Sequence, residues 1–187
     1  MPARDMRWLE AARRRDQQVL AEIYDQLSPE LYRYAYRLLG EVQMAEDIVS
    51  ETFLRFLRAI EAGGGPRDNL RAYLYRIAHN LAMDVHRRRP AGVDGRDIEL
   101  ERIPGGENPA QQAEHSITQQ VARRMIWHLT PDQRQVILLK FLQGLSNAEV
   151  AAVVDKPVGA VKALQHRGLG TLRRLLQREG WDMGDDQ

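Results

Sequence analysis

At 187 residues, with 27 Lys and Arg against 26 Asp and Glu and no cysteine, the chain has room for one large or two small domains and none for disulfides, Cys-ligated zinc or thiol chemistry. No run approaches the roughly 18 apolar residues of a membrane span, and the Arg-rich N-terminus lacks the apolar core of a secretory signal, so a cytoplasmic protein without membrane insertion is expected. The net charge of +1 hides segregation: bases dominate Arg71–Arg89 and Lys156–Arg178, acids dominate Glu41–Glu51 and Asp94–Glu114, a pattern that suits a chain meeting a polyanion at two places.

In chain order, Arg4–Asp25 has the spacing of one or two amphipathic helices, with Trp8, Leu9, Val19, Leu20, Ile23 and Tyr24 as apolar positions and Asp16 as a cap. Ser28 before Pro29 predicts a new helix start, with Tyr32, Ala35, Tyr36 and Leu39 on one face, Tyr34 off it, and a stop at Gly40. Ala45–Ile60 is more informative. Ala45, Ile48, Val49, Thr52, Phe53, Phe56 and Ile60 complete an apolar stripe, yet Leu54 stands opposite it, ringed by Asp47, Ser50, Glu51 and Arg58. An apolar residue inside a charged ring on a rigid helix has the anatomy of a partner interface.

Gly63-Gly64-Gly65-Pro66 breaks the chain, and Asp68 or Asn69 can cap the helix Leu70–Arg89. In that helix Leu70, Leu74, Ile77, Ala78, Leu81 and Val85 form the apolar stripe, while Tyr73, Arg76, Asn80 and Arg87 line one flank with His79, Met83 and His86 beside them. An aromatic ring, guanidinium groups and an amide in one row can stack on a base, hold phosphates and read a base edge, and the preceding loop could close over a base drawn out of its stack.

After Arg89 periodicity collapses into an acidic, Pro- and Gly-rich stretch expected to be a linker long enough to let two domains sit far apart. His115–Leu129 resumes helical spacing, with Ile117, Val121 and Met125 inward, and Thr130-Pro131-Asp132-Gln133 is a capping-box start for a helix carrying Val136, Ile137, Leu139 and Leu142 to Gly144. Ser146 and Glu149 form a second capping box, opening a short helix with Val150, Ala151 and Val154 inward; a break at Asp155-Lys156 and a new start at Pro157 complete a helix-turn-helix. On its second helix Val161, Leu164, Leu172 and Leu175 face the domain, while Lys162, His166 and Arg173 share one outward stripe and Arg167 and Arg174 another. The first turns can reach bases, and the later arginines can meet phosphates.

The ordered segments Ala45-Glu-Asp-Ile-Val-Ser-Glu-Thr-Phe-Leu54, Leu70-Arg-Ala-Tyr-Leu-Tyr-Arg-Ile-Ala-His-Asn80, Leu145-Ser-Asn-Ala-Glu-Val150 and Pro157-Val-Gly-Ala-Val-Lys162 resemble a bacterial RNA polymerase sigma factor of the extracytoplasmic-function group in the sigma-70 family. The resemblance implies an all-α fold of two small helical domains, 1–90 and 113–180, joined by the linker 91–112 and followed by a tail, 181–187. It implies that Asp47, Glu51, Leu54, Arg55 and Arg58 dock on the clamp helices of the polymerase largest subunit, with the beta flap as a further contact. It places Arg67, Asn69, Tyr73, Arg76, His79, Asn80, Arg87, Arg88 and Arg89 at the minus-10 element, where the melted nontemplate strand is captured. It places Lys156, Gly159, Ala160, Lys162, Ala163, His166 and Arg167 at the duplex minus-35 element. An anti-sigma factor is a further implied partner, and no cofactor, metal or covalent catalysis is implied.

The chain departs from the family pattern at Ser50, where Gln is usual, at Tyr73, where Trp is frequent, and over Val161–Gly168, where Gln165 falls near the core side and Gly168 and Gly170 should each weaken the helix by about 1 kcal/mol relative to Ala. Three other functions compete, of which a purely structural adaptor would leave both basic helices without a partner. A stand-alone helix-turn-helix repressor or activator explains Asn147–Arg174 but leaves the Leu54 face unused, and a metal-dependent nuclease would have to use His79, Asp84 or His86, which lack a repeated ligand spacing.

Overall fold

A computed structural model describes residues 3–88 and 124–178, so the expected linker, Arg89, Ile117 and Val121 and the tail lie outside the described residues. The described residues form helices and no strands.

Helix α1 (Ala3–Arg13) buries Trp8, Leu9 and Ala12 and turns through Arg15, a non-glycine residue at φ 58°, into α2 (Gln17–Leu39). Asp16 caps α2 as expected, its Oδ1 accepting from the backbone N–H of Gln18 at 3.0 Å and of Val19 at 3.2 Å. Ser28 does not start a helix. The chain runs through Pro29 without a break, because Ile23, Leu27, Leu31 and Tyr34 on both sides of it are buried along one seam. That burial, at about 1.5–3 kcal/mol per large apolar side chain, outweighs the roughly 3 kcal/mol an interior proline costs. Tyr34, expected off the apolar face, is fully buried, and Gly40 at φ 75° ends the helix with its N–H donating to Tyr36 O at 2.7 Å.

Helix α3 (Val42–Glu61) buries the seven residues of the expected stripe. Helix α4 (Leu70–Arg88) is capped by Asn69, whose Oδ1 accepts from Ala72 N–H at 2.8 Å. Its buried set is Leu70, Leu74, Tyr75, Ala78, His79 and Ala82, rotated from the expectation; Ile77, Leu81 and Val85 are half-buried. The rotation has a cause in packing. Helix α4 lies against α2 and α3 on one side and against the C-terminal helices on another, so its buried arc is wider than one stripe.

In the second group the Thr130 capping box forms as expected and starts α5 (Pro131–Ile137). Arg134 lies over the Trp127 ring at 3.9 Å and donates to the carbonyls of Ile126 and Trp127 at 3.2 and 3.0 Å, closing the end of the preceding helical residues. The helix then widens into a π-helical segment, Leu138–Leu142. This extra residue shifts the register: Leu138 turns fully inward, and Leu142, expected in the core, is 46% exposed. Helices α6 (Asn147–Val154) and α7 (Val158–Arg178) meet at Asp155, in the left-handed region at φ 53°. The two groups of helices, on either side of the expected linker, lie in contact. Buried side chains of both groups belong to one continuous cluster, with α6 lying on α4.

Candidate nucleic-acid interface

Helix α4 begins at a loop whose glycines set its path. Gly63 and Gly65 adopt φ 75° and 99°, and the N–H of Gly64 returns to Ala59 O at 2.8 Å, folding the chain back on the end of α3. Beyond Asn69, the exposed Arg76 and Asn80 lie one turn apart on the solvent side of α4, with the half-exposed Tyr73 one turn before them, its ring edge-to-face with Phe56 at 6.3 Å. Arg87 and Arg88 extend the row at its exposed end, Arg87 in contact with Asp84. Arg67 is exposed on the loop.

His79 leaves that row. It is 5% exposed, and its Nδ1 shares a hydrogen bond of 3.0 Å with the hydroxyl of the buried Tyr34. Burial pushes its pKa down to about 4, with Asp132 opposing and Lys156 assisting the shift. The neutral ring is sealed against Tyr34 in this conformation and stands apart from the exposed row. Among the described residues no three His, Asp or Glu side chains are grouped to hold an ion.

On α3, Asp47, Leu54, Arg55 and Arg58 are exposed and Glu51 is half-exposed. Arg55 Nε donates to Glu51 Oε1 at 2.7 Å, so the rim partly neutralises itself. Leu54, 41% exposed, has a companion the sequence reading missed: Leu57, 39% exposed. Its position one turn from Leu54 and off the buried stripe was the available signal.

On the helix-turn-helix, Gly159, Lys162, Ala163, His166 and Arg167 are exposed along the first half of α7, and Ala160 is half-exposed. Lys156 is half-exposed and paired with Asp132 at 3.2 Å, so among the described residues it is the member of the expected set with an intramolecular anion. Gly168 has a role that helix propensity conceals: a Cβ there would stand 3.0 Å from Ile137 Cγ1, so glycine allows α7 to pack closely on α5.

The two groups of helices meet over the candidate strand-capturing surface. Asn69 Nδ2 donates to Glu149 Oε1 at 2.5 Å, and the other Glu149 oxygen accepts from Ser146 N–H at 2.6 Å. Burial alone would raise the Glu149 pKa, but the Ser146 and Asn69 hydrogen bonds outweigh it and hold the carboxyl below its ordinary value. Further along the seam, the Tyr75 hydroxyl donates to Gln143 Oε1 at 2.6 Å and Gln135 Nε2 donates to Met83 Sδ at 2.8 Å. Between the loop, α4 and α6 lies a cleft of about 480 Å³ with Arg67, Asn69, Tyr73 and Arg76 on one side and Ala148 and Ala152 on the other.

Comparison with known proteins bears on both halves. The Sigma-70 region 2 family model matches residues 23–91, and the Sigma-70, region 4 model matches residues 119–172. The chain is 36% identical over 177 residues to the ECF RNA polymerase sigma factor BldN of Streptomyces coelicolor, covering 93% of this chain and 66% of BldN. It is 32% identical over 171 residues to the ECF RNA polymerase sigma factor SigW of Bacillus subtilis, covering 87% of this chain and 91% of SigW. Among solved structures, the sigma factor RpoE of Bartonella quintana, in complex with the anti-sigma factor NepR, is similar at a TM-score of 0.64 and 26% identity, covering 84% of this chain and 95% of RpoE.

Proposed function

Because the chain belongs to the extracytoplasmic-function group of RNA polymerase sigma factors, we propose that it binds core polymerase through the Leu54 face of α3, captures the melted nontemplate strand of the minus-10 element on α4, and reads the duplex minus-35 element with α7. The observation that carries the strand-capture reading is the placement of Tyr73, Arg76 and Asn80 on one accessible side of α4 beside the Gly65–Asn69 loop and its cleft. A ring, a guanidinium and an amide supply stacking, phosphate contact and base-edge hydrogen bonds, which together offset the few kcal/mol needed to unstack a base. The step is non-covalent, and its site of action is the cytoplasm, where polymerase and promoter DNA are.

The closed packing fits a resting form. Elements named for positions about 25 base pairs apart lie roughly 85 Å apart along B-DNA at about 3.4 Å per pair. A compact body of this length has a radius of gyration of about 16 Å, so α4 and α7 cannot reach both elements until α6 leaves α4. The seam suits separation, because the buried Gln135, Gln143 and His79 and the Tyr75 hydroxyl are polar groups that water can satisfy once exposed. The similarity to RpoE in its complex with NepR extends over most of the chain, which supports an anti-sigma factor as the partner that holds this form.

Run-off transcription with core polymerase on genomic fragments, followed by start-site mapping, tests the proposal. Promoter-specific starts that require the chain are expected, and Asn80→Ala should impair strand opening more than polymerase binding. Failure of the wild type to bind core polymerase at low salt, together with specific duplex binding by the chain alone, would instead support a stand-alone helix-turn-helix regulator.

A further inference from the structure

The loop that leads into α4 is held from an unexpected direction. Its own backbone hydrogen bonds reach Gly64, and the cap of α4 begins at Asn69. Between them, the carbonyls of Pro66 and Arg67 face the guanidinium of Arg13 at the end of α1, with Nη2 at 3.5 and 3.1 Å respectively. Two residues on, Arg15 Nη2 donates to the carbonyl of Glu61, the last residue of α3, at 2.9 Å.

The α1–α2 turn is built to present these two side chains. Arg15 N–H donates to Ala12 O at 3.0 Å and Asp16 N–H to Ala11 O at 3.1 Å, fixing the turn, while Trp8, Leu9 and Ala12 anchor α1 in the core. Arg15 takes up the left-handed φ of 58° that the turn requires. An arginine carries several N–H donors in a planar fork, so one side chain can satisfy consecutive carbonyls that no helix or strand uses. The carbonyls it holds belong to the loop that walls the cleft beside Asn69 and Tyr73.

We propose that Arg13, assisted by Arg15, is a positioning residue for strand capture: α1 clamps the 61–67 backbone from behind, so that the loop and Asn69 present a preformed wall to an extruded base. Arg13 acts through the loop and does not touch DNA. The inference rests on the reading of the loop and α4 as the strand-capturing site. A fixed loop spares the ordering cost that a mobile one would incur on binding.

The test uses holoenzyme reconstituted with the full chain and a single-stranded oligonucleotide carrying the minus-10 sequence of a mapped promoter. Loss of one such hydrogen-bonded clamp should weaken oligonucleotide capture by about three- to tenfold in Arg13→Ala, with core polymerase binding unchanged and hydrogen exchange accelerated at residues 65–69 but not within α3. Arg13→Lys, which keeps charge and one donor group, should recover part of the loss. Arg14→Ala is the control, since that neighbouring exposed cation donates no side-chain hydrogen bond to the loop among the described residues. Equal losses in Arg13→Ala and Arg14→Ala would assign the effect to general charge and overturn the clamp. Wild-type capture in Arg13→Ala alongside weakened capture in Tyr73→Ala would overturn the clamp while leaving the site intact. Unimpaired capture in Tyr73→Ala and Asn80→Ala would remove the site itself, and the clamp with it.

Discussion

Asn69 and Glu149 each cap a helix, and they are bonded to each other. Asn69 Oδ1 accepts from Ala72 N–H at the start of α4 while its Nδ2 donates to Glu149, which in turn accepts from Ser146 N–H at the start of α6. The same two side chains therefore fix the ends of two helices and the seam between them. Asn69→Asp separates these tasks, because aspartate caps a helix as well as asparagine but sets a carboxylate against Glu149. The substitution should favour separation of the two groups by about tenfold, on the order of 1.4 kcal/mol. With no native cysteine, two engineered thiols can carry dyes, and energy transfer between a label on α3 and one on α7 should fall in the variant. Unchanged transfer, with unchanged scattering radius, would show that the bond does not hold the seam.

The buried ring of His79 makes stability depend on pH in a stated direction. Its pKa is lowered to about 4 by burial, against an ordinary value of 6.5. The groups facing it are Tyr34 from α2 and Asp132 and Lys156 from the second group of helices. A base whose pKa is depressed in the native form stabilises that form above pH 6.5, and the contribution declines as pH falls from 6.5 toward 4. Between pH 7.5 and 5.5 the loss should be about 1 kcal/mol, measurable as a drop in denaturation midpoint that His79→Gln lacks. Identical pH profiles for the wild type and His79→Gln would mean that the ring does not govern this window.

Helix starts were legible in the sequence because capping is local. Asp16, Asn69, Thr130 and Ser146 each bond the backbone within three residues of themselves, and all four act as expected. The α3 stripe was legible for a related reason, since one face of that helix meets the core and the other meets solvent. Features set by a second surface were not. Pro29 is carried through α2 by distant packing, Tyr75 and His79 are drawn in by a third neighbour of α4, and Leu142 is turned out by the π-helical register shift. Within the candidate site, the row Tyr73, Arg76, Asn80 could be read from periodicity, whereas the bonds of Glu149 to Asn69 and of Arg13 and Arg15 to the loop join elements far apart in sequence and had no local signal.

Gly168 and Gly170 look alike in sequence and differ in surroundings. Around Gly170 a Cβ would meet open space, so Gly170→Ala should stabilise the protein by up to about 1 kcal/mol through helix propensity. At Gly168 the same change places a methyl 3.0 Å from Ile137 Cγ1 and 3.5 Å from Gln133 Cβ. Overpacking of this kind costs about 1–3 kcal/mol and should more than cancel the propensity gain. Thermal denaturation of the two variants should therefore move in opposite directions. Parallel stabilisation by both would show that α7 does not depend on close approach to α5.

Leu54 and Leu57 place two apolar side chains on the solvent side of α3 within a polar rim of Asp47, Glu51 and Arg58. An apolar centre inside a polar ring is where interface energy concentrates, and truncating or charging such a centre commonly costs at least 2 kcal/mol of binding, about a 30-fold weaker complex. Leu54→Asp should therefore weaken association with core polymerase by about 30-fold or more, leaving a minor fraction bound at the concentrations where the wild type saturates. Leu57→Asp should weaken it as well, since its side chain is exposed to a similar extent one turn along. Both side chains are exposed, so the denaturation midpoint of the free protein should stay within about 0.5 kcal/mol of the wild type. Native gel or fluorescence-anisotropy titration with core polymerase supplies the binding measurement. A wild-type titration curve for Leu54→Asp would move the docking surface off this face of α3, and loss of binding accompanied by a large fall in midpoint would assign the residue to folding instead.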